Sequence, residues 1–408
     1  MNKKTTHNIS ELEFIALMAF LMSNVALSID GILPALTNIG QSLNHTNSTD
    51  LQSIITMIFL GLGIGQLFFG TLSDSLGRKP VVYLGVATFM VASVIAVTAN
   101  SLEVMLVGRF FQGIGLSAPR SVSISIIRDL YSGNYMARIM SFITVIFILV
   151  PMLAPISGQL ILEVSNWQTI FYFQMGFTLL TVIWFGIRQK ETLKEINRIK
   201  LTKYLFVDGA KAFFRYKETV IYTLISGLMT GNFMVYLSSS KQIFQDQYGL
   251  INEFVYIFAG LSFFLGLSTF FNGSLVLRFG MKKLATIALY VFTLSALVYT
   301  ILFIYSENPN LYVLLLFIST QFGCIGFIFG NIRALAMQPI GHIAGIGASL
   351  NGAISTIMAV PIAMLIGHFI NQTALPLFIG FLACGGSSIL LLLLLEKIKK
   401  PISDMELG

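Results

Sequence analysis

The sequence predicts an all-α integral membrane protein with 12 transmembrane helices in two six-helix pseudo-symmetric bundles, and three observations lead there. Hydrophobic residues fill 55% of the 408 positions and charged residues only 11%, with a mean hydropathy of +0.82, whereas a soluble domain carries about a quarter charged residues. Apolar segments of the roughly 20 residues that a bilayer-spanning helix needs recur along the whole chain. The two halves also repeat each other's punctuation across one charged connection. The segments are continuous rather than alternating, which favours helices over barrel strands, because lipid requires every backbone polar group to be satisfied within its own segment.

In order, the predicted spans cover residues 12–39, 51–72, 81–100, 102–127, 137–162, 169–187, 220–243, 254–275, 284–304, 311–332, 345–370 and 374–395. The first follows a short basic lead and superficially resembles a signal peptide. Its apolar run is too long for one, contains Asp30 and Pro34, and lacks a small-residue cleavage site, so it is read as a retained span. The second and third are joined by the turn GTLSDSLGRKP, and the fourth carries Arg109 and Arg120. The fifth holds Pro151, Pro155 and Gly158, and the eleventh Pro361. The fourth, fifth and eleventh are long enough to tilt or to extend past the membrane.

Orientation follows from the positive charges. Lys3 and Lys4 precede span 1, Arg78 and Lys79 join spans 2 and 3, Arg128 and Arg138 join 4 and 5, Arg278, Lys282 and Lys283 join 8 and 9, and Lys397, Lys399 and Lys400 follow span 12. The intervening connections TNIGQSLNHTNSTD and SENPN carry no Lys or Arg, with Lys241 the exception on that side. Both termini are therefore expected in the cytoplasm. This asymmetry explains the net charge of +7, so no nucleic-acid partner is read from it. Cys324 and Cys384 fall inside predicted spans and behave as small apolar residues, with no metal site or disulfide framework implied.

Residues 188–218 hold nine basic and four acidic residues, and divide the chain into an N-terminal bundle over 1–187, a cytoplasmic loop over 188–219 and a C-terminal bundle over 220–408. Within the loop, KYLFVDGAKAFFRY has the pattern of a basic amphipathic helix lying on the cytoplasmic leaflet, a solvated linker with a surface helix being the plainest reading. GTLSDSLGRKPVV at 70–82 and GSLVLRFGMKKLA at 273–285 match at Gly70 and Gly273, Leu72 and Leu275, and Gly77 and Gly280. Pro155 and Pro361 stand at nearly the same offset. Such a duplication is the architecture that forms a substrate site between two bundles near the bilayer midplane.

These motifs carry a resemblance. GTLSDSLGRK, RFFQGIG in span 4 and PMLAPISG in span 5 resemble the loop, arginine-containing and antiporter motifs of the major facilitator superfamily. SIDGILPAL in span 1, RDLY after span 4 and ALAMQPIGHIAG after span 10 are similar to the Bcr/CflA branch of drug:proton antiporters. The resemblance covers nearly the whole chain apart from the termini and the central loop. It implies a bacterial cytoplasmic (inner) membrane and spans 1, 4, 7 and 10 around the substrate path.

The physical reading of each motif stands beside it. Gly70 and Gly77 permit close helix approach and a tight turn, Asp74 can accept from a neighbouring helix N-terminus, and Arg78 and Lys79 stay at the cytoplasmic interface. Together they read as a gating latch or as an ordinary positive-inside turn. Leu277 stands where Asp74 would fall in the second copy, so a latch should be one-sided. Pro155 and Gly158, with Pro151, interrupt the helical ladder and leave a small surface for tight packing. In family terms this marks exporters, although Ala154 replaces the glycine usual before the proline, and a purely structural kink is the alternative.

Ser23, Leu27, Asp30 and Pro34 share one narrow helical stripe, and an ionisable group inside a span is a functional candidate unless it is a static pair. Counting inward, Asp30 and Arg109 sit at similar depth, about 12–15 Å at 1.5 Å per residue. Asp30 reads as the proton carrier and Arg109 as its modulator: proximity favours the carboxylate, separation in a dry site favours the acid. Arg120, three turns beyond Arg109 on nearly the same face, would make the cavity net positive and favour neutral or anionic ligands, unless it snorkels to the interface. Gln112, Asn232, Tyr236, Phe317 and Gln321 are the remaining substrate-binding candidates, each equally able to be an interhelical packing contact.

Three readings compete. A proton-driven exporter of small organic compounds leads. A proton-coupled importer of a metabolite is the alternative, distinguished by accumulation rather than expulsion. A membrane enzyme or sensor is weakest, for want of clustered metal ligands, a nucleophile with a base or an appended soluble domain. The phosphate-binding glycine-lysine loop is absent, so ATP is not the energy source. No cofactor is expected; the partners are the small-molecule substrate, protons and the bilayer, and the chain is expected to act as a monomer.

Overall fold

The computed structural model describes residues 9–45, 47–131, 133–198, 203–251 and 253–403. Lys3 and Lys4 of the sequence reading lie outside them. Long helices account for the architecture, and the described residues contain no strand. The first, α1 (Glu11–Asp30), begins at an N-cap where Ser10 Oγ accepts from the Glu13 amide. It ends at Asp30, after which the chain turns through Gly31 and Ile32, makes a short 3-10 segment Leu33–Ala35 and resumes as α2 (Leu36–Ser42). Pro34 has no amide hydrogen to donate, so the ladder breaks there.

The remaining helices of the first half are α3 (Ser48–Leu76), α4 (Arg78–Val97), α5 (Leu102–Leu130), α6 (Gly133–Val164) and α7 (Trp167–Arg188). After a linker come α8 (Lys203–Arg215), α9 (Lys217–Lys241), α10 (Phe254–Phe279), α11 (Met281–Phe303), α12 (Leu311–Met337), α13 (Ala344–His368) and α14 (Leu375–Ser403). A π-helical turn, Gln242–Gln247, prolongs α9.

The described residues contain 10 helices long and apolar enough to cross a membrane, against 12 predicted spans. The difference lies in two helices. α5 is 29 residues long, but Glu103, Arg109, Arg120 and Arg128 interrupt its apolar run. Within α6 the apolar stretch is the shorter Leu149–Val164.

The chain divides into two compact units, Met1–Lys203 with Val255–Gly260, and Tyr204–Phe254 with Leu261–Gly408. In the first, α5 packs against α3 and α4, and α1 packs against α5, α6 and α7. Phe14, Leu17, Met18, Val82, Ile126 and Phe185 belong to an apolar core within it. In the second, α9 packs against α12, α13 and α14, and α11 against α12 and α14. The central helix of each unit thus gathers equivalent neighbours. Ile287, Leu294 and Ile301, seven residues apart along α11, are each at least half exposed, an apolar stripe suited to lipid.

Candidate functional site

The break at the end of α1 sets the first unit's chemistry. Asp30 is buried, and its Oδ1 has no hydrogen-bond partner among the described residues. Ser23 and Ser28, on the same helix, also bury hydroxyls without partners there. Unpaired buried polar atoms are rare in folded proteins, and each calls for an explanation. Around them the backbone is held tightly. The Gly31 amide donates to Leu27 O at 3.1 Å, and Gln174 Nε2 of α7 donates to the same carbonyl at 3.1 Å. Thr178 Oγ1, one turn along α7, donates to Asn24 Oδ1 at 2.6 Å.

Arg109 is fully buried on α5, but it is not hydrogen-bonded to Asp30. Its Nη2 donates to Ser28 O at 2.9 Å, its Nε to Ile54 O of α3 at 3.1 Å, and its Nη1 to Gln112 Oε1 at 2.8 Å. The sequence reading has Arg109 alternately near Asp30 and separated from it; here the guanidinium takes the Ser28 carbonyl at the helix break. A cation there sits at the C-terminal, electronegative end of α1, where helix dipoles favour positive charge. Phe171 of α7 lies with its ring centre 5.8 Å from the guanidinium carbon. All three of these acceptors are neutral, so the guanidinium keeps its charge while its donors are turned toward the protein.

Gln112, expected to bind substrate, has both ends occupied: Arg109 on its oxygen and Ser93 Oγ, at 2.7 Å, on its nitrogen. It holds the arginine. Arg120 is half-buried on α5, immediately after Pro119.

Pro155 and Gly158 of α6 meet this same break. A Cβ at Gly158 would overlap the Gly31 carbonyl, so glycine is what allows α6 to approach the residue after Asp30. Ala154 and Pro155 are buried beside it.

A second cluster forms where α3 turns into α4. Gly77 caps α4 with φ +106°, a conformation other residues rarely adopt. Arg78 is only 2% exposed, enclosed by protein groups. Its Nη1 lies 2.5 Å from Asp74 Oδ1 and 2.8 Å from Ser73 Oγ, while Nε and Nη2 reach the Asp129 carboxylate at 2.9 and 3.3 Å. Gly70 contributes a carbonyl that accepts from Ser73 Oγ at 2.8 Å. Asp74 thus pairs with Arg78 rather than accepting from a helix terminus. That role falls to Glu191, in the linker after α7: its carboxylate accepts from the amides of Arg78 at 3.0 Å and Lys79 at 2.9 Å. Asp129 also accepts from Thr192 Oγ1 at 2.8 Å. Sequence reasoning quoted RDLY but gave Asp129 no role, and it passed over Glu191; an acid inside a basic loop was the available signal.

In the second unit, Asn232 of α9 is fully buried with neither amide atom hydrogen-bonded among the described residues, and the same holds for the hydroxyl of Ser239. Tyr236, between them on the helix, is buried edge-on against Phe322 of α12, with ring centres 4.7 Å apart. Gln321 donates to Phe292 O at 3.2 Å, leaving its Oε1 without a partner there. Phe317 is partly buried and packs edge-on against Tyr299 of α11 and Phe378 of α14, themselves stacked 3.6 Å apart.

The major facilitator superfamily model matches residues 14–364, a span that includes both clusters and the unpaired polar atoms of α9. The chain belongs to the Major Facilitator Superfamily. It is a membrane transporter and not an enzyme. Its relatives fit the drug-antiporter branch. It is 30% identical over 380 residues to the uncharacterized MFS-type transporter YdgK of Bacillus subtilis, covering 90% of this chain and 92% of that protein. It is 27% identical to the bicyclomycin resistance protein homolog of Haemophilus influenzae, covering 92% and 94%. The crystal structure of a D-xylose-proton symporter superposes with a TM-score of 0.71 at 14% identity over 93% of this chain and 96% of that one. At that identity the likeness speaks for the superfamily fold.

Proposed function

We propose that this superfamily member exports small organic compounds, neutral or anionic amphiphiles and drugs, in exchange for protons by alternating access. It would do so as a monomer of twelve spans, with bundles over 1–187 and 220–408, a cytoplasmic loop over 188–219, and both termini facing the cytoplasm of a bacterium. The observation that carries the reading is Asp30: a buried carboxyl whose Oδ1 lacks a partner, at the one place where α1 breaks. Such a group can be neutral while dry and charged when a change of packing admits water or a cation. Gly158 against Gly31 gives α6 a direct lever on that packing. The resistance protein among the relatives supports export of drugs as the direction and cargo.

In this reading Arg109, held by Gln112, tunes the break rather than touching cargo. Arg120 supplies the positive charge facing anionic ligands. Asn232, Tyr236 and Gln321 supply polar contacts to substrate, and the Asp74–Arg78 cluster acts as the gating latch. The test is proton release by purified protein in weak buffer when candidate compounds are added. Wild type should release protons on binding; Asp30→Asn should bind the same compounds, release none, and retain exchange of labelled substrate down its gradient while losing uphill export. Proton release by Asp30→Asn equal to wild type would remove Asp30 from the mechanism.

A further inference from the structure

Neither the gate nor the substrate path uses α8, the 13-residue helix KYLFVDGAKAFFR. One side of it is docked. Phe213 is fully buried, and a Cβ at Gly209 would lie 2.7 Å from Ile346 Cγ2 near the start of α13. At about 100° per residue these two positions are 40° apart. Opposite them, within an arc of about 100°, stand Phe214, Val207, Lys211 and Arg215. Phe214 is 58% and Val207 47% exposed, and Lys211 and Arg215 are exposed beside them, as are Tyr216 and Lys217 just beyond the helix.

This outward face pairs large apolar side chains with lysine and arginine stems. A purely cytosolic surface has no reason to expose Phe214 and Val207 together, and a purely hydrocarbon-facing one would not carry Lys211 and Arg215. The combination matches the boundary between acyl chains and acidic headgroups, where apolar groups enter the boundary and basic groups stay at phosphate level. The sign of the charge selects the lipid: no zwitterionic headgroup gains as much from three neighbouring cations.

We infer that α8 is a binding surface for acidic phospholipid of the cytoplasmic leaflet, with Phe214 and Val207 inserted and Lys211, Arg215 and Lys217 holding the headgroups. Because α8 is docked at Ile346, a lipid bound there also fixes the start of α13.

The probe is Phe214→Trp in proteoliposomes of equal composition, with bromine placed on the acyl chains either of phosphatidylglycerol or of phosphatidylcholine. The parent protein supplies the baseline for Trp167 and Trp184. Quenching by brominated phosphatidylglycerol should exceed quenching by brominated phosphatidylcholine several-fold, and the preference should shrink as salt rises. Each basic residue near an acidic membrane surface is worth about a five-fold preference, so Lys211→Gln, Arg215→Gln and Lys217→Gln together should bring the ratio close to one. These exposed changes leave the docked face intact. Equal quenching by both lipids in the unmodified background would overturn the headgroup assignment. Absence of quenching by either would place the face against water or protein and overturn the proposal altogether. Neither result depends on transport, so the export reading stands or falls separately.

Discussion

Arg109 shows how much can rest on a single side chain. It bridges Ser28 O on α1, Ile54 O on α3 and Gln112 on its own helix, all in a buried setting. A lysine in its place keeps the charge but loses the planar fork, and cannot reach three acceptors set in different directions. Arg109→Lys should therefore leave at least one carbonyl unpaired, at a cost of about 1–3 kcal/mol. It should be read as a lowered melting temperature in detergent together with loss of transport. Gln112→Leu should weaken the same clamp less, because the guanidinium keeps both carbonyls. A Gln112→Leu protein with unchanged stability but selectively lost ligand affinity would return Gln112 to the substrate path. The sequence made Arg109 visible, since an arginine deep in an apolar run has few innocent explanations. Its partner was not visible, because a backbone carbonyl freed by a helix break leaves no mark in residue identity.

At the scale of elements, two junctions are built by opposite means. The α1–α6 junction is made by absence: Gly158 has no side chain, and the Gly31 carbonyl fills the space. Gly158→Ala already places a Cβ on the Gly31 carbonyl, so it should drive α6 away from the break at a cost of about 1–3 kcal/mol by overpacking and depress transport, with Gly158→Val at least as severe. Wild-type transport by Gly158→Ala would argue against a lever at this point. The α3–α4–α5 junction is made by charge. Arg78 meets Asp129 through two nitrogens but Asp74 through one. Arg78 keeps one carboxylate when either aspartate is removed, so the cost is that of lost charge-assisted hydrogen bonds, about 1.5–3 kcal/mol, and Asp129→Asn should lower thermal stability further than Asp74→Asn. The reverse order would make Asp74 the main anchor. The first junction was readable from the proline and glycine spacing of span 5. The second was half readable: the glycine turn and Asp74 were evident, but a carboxylate from RDLY and another from the linker come together only through tertiary packing.

For the molecule as a whole, the repeat in sequence survives as a repeat in helix pairing, while its chemistry has diverged. Helix positions were legible because hydropathy acts over about twenty residues at a time, and single substitutions do not blur it. The divergence is sharpest at the two glycine turns, Gly77 with φ +106° and Gly280 with φ +79°, equivalent by backbone but not by surroundings. At the first, Glu191 accepts the opening amides of α4 and Arg78 is buried between aspartates. At the second, Leu277 and Met281 occupy the positions of Asp74 and Arg78, Leu277 is 89% exposed, and among the described residues no carboxylate takes the place of Glu191 at the start of α11. Helix-start amides have no intrahelical acceptor, so a cap decides their access to water. Hydrogen exchange should therefore be at least ten-fold slower at Arg78 and Lys79 than at Met281 and Lys282. Glu191→Gln should narrow the gap, because a charge-assisted acceptor is replaced by a weaker one. Exchange at equal rates in the two turns would mean that the linker carboxylate does not hold α4 in solution, and the one-sided latch would lose its anchor.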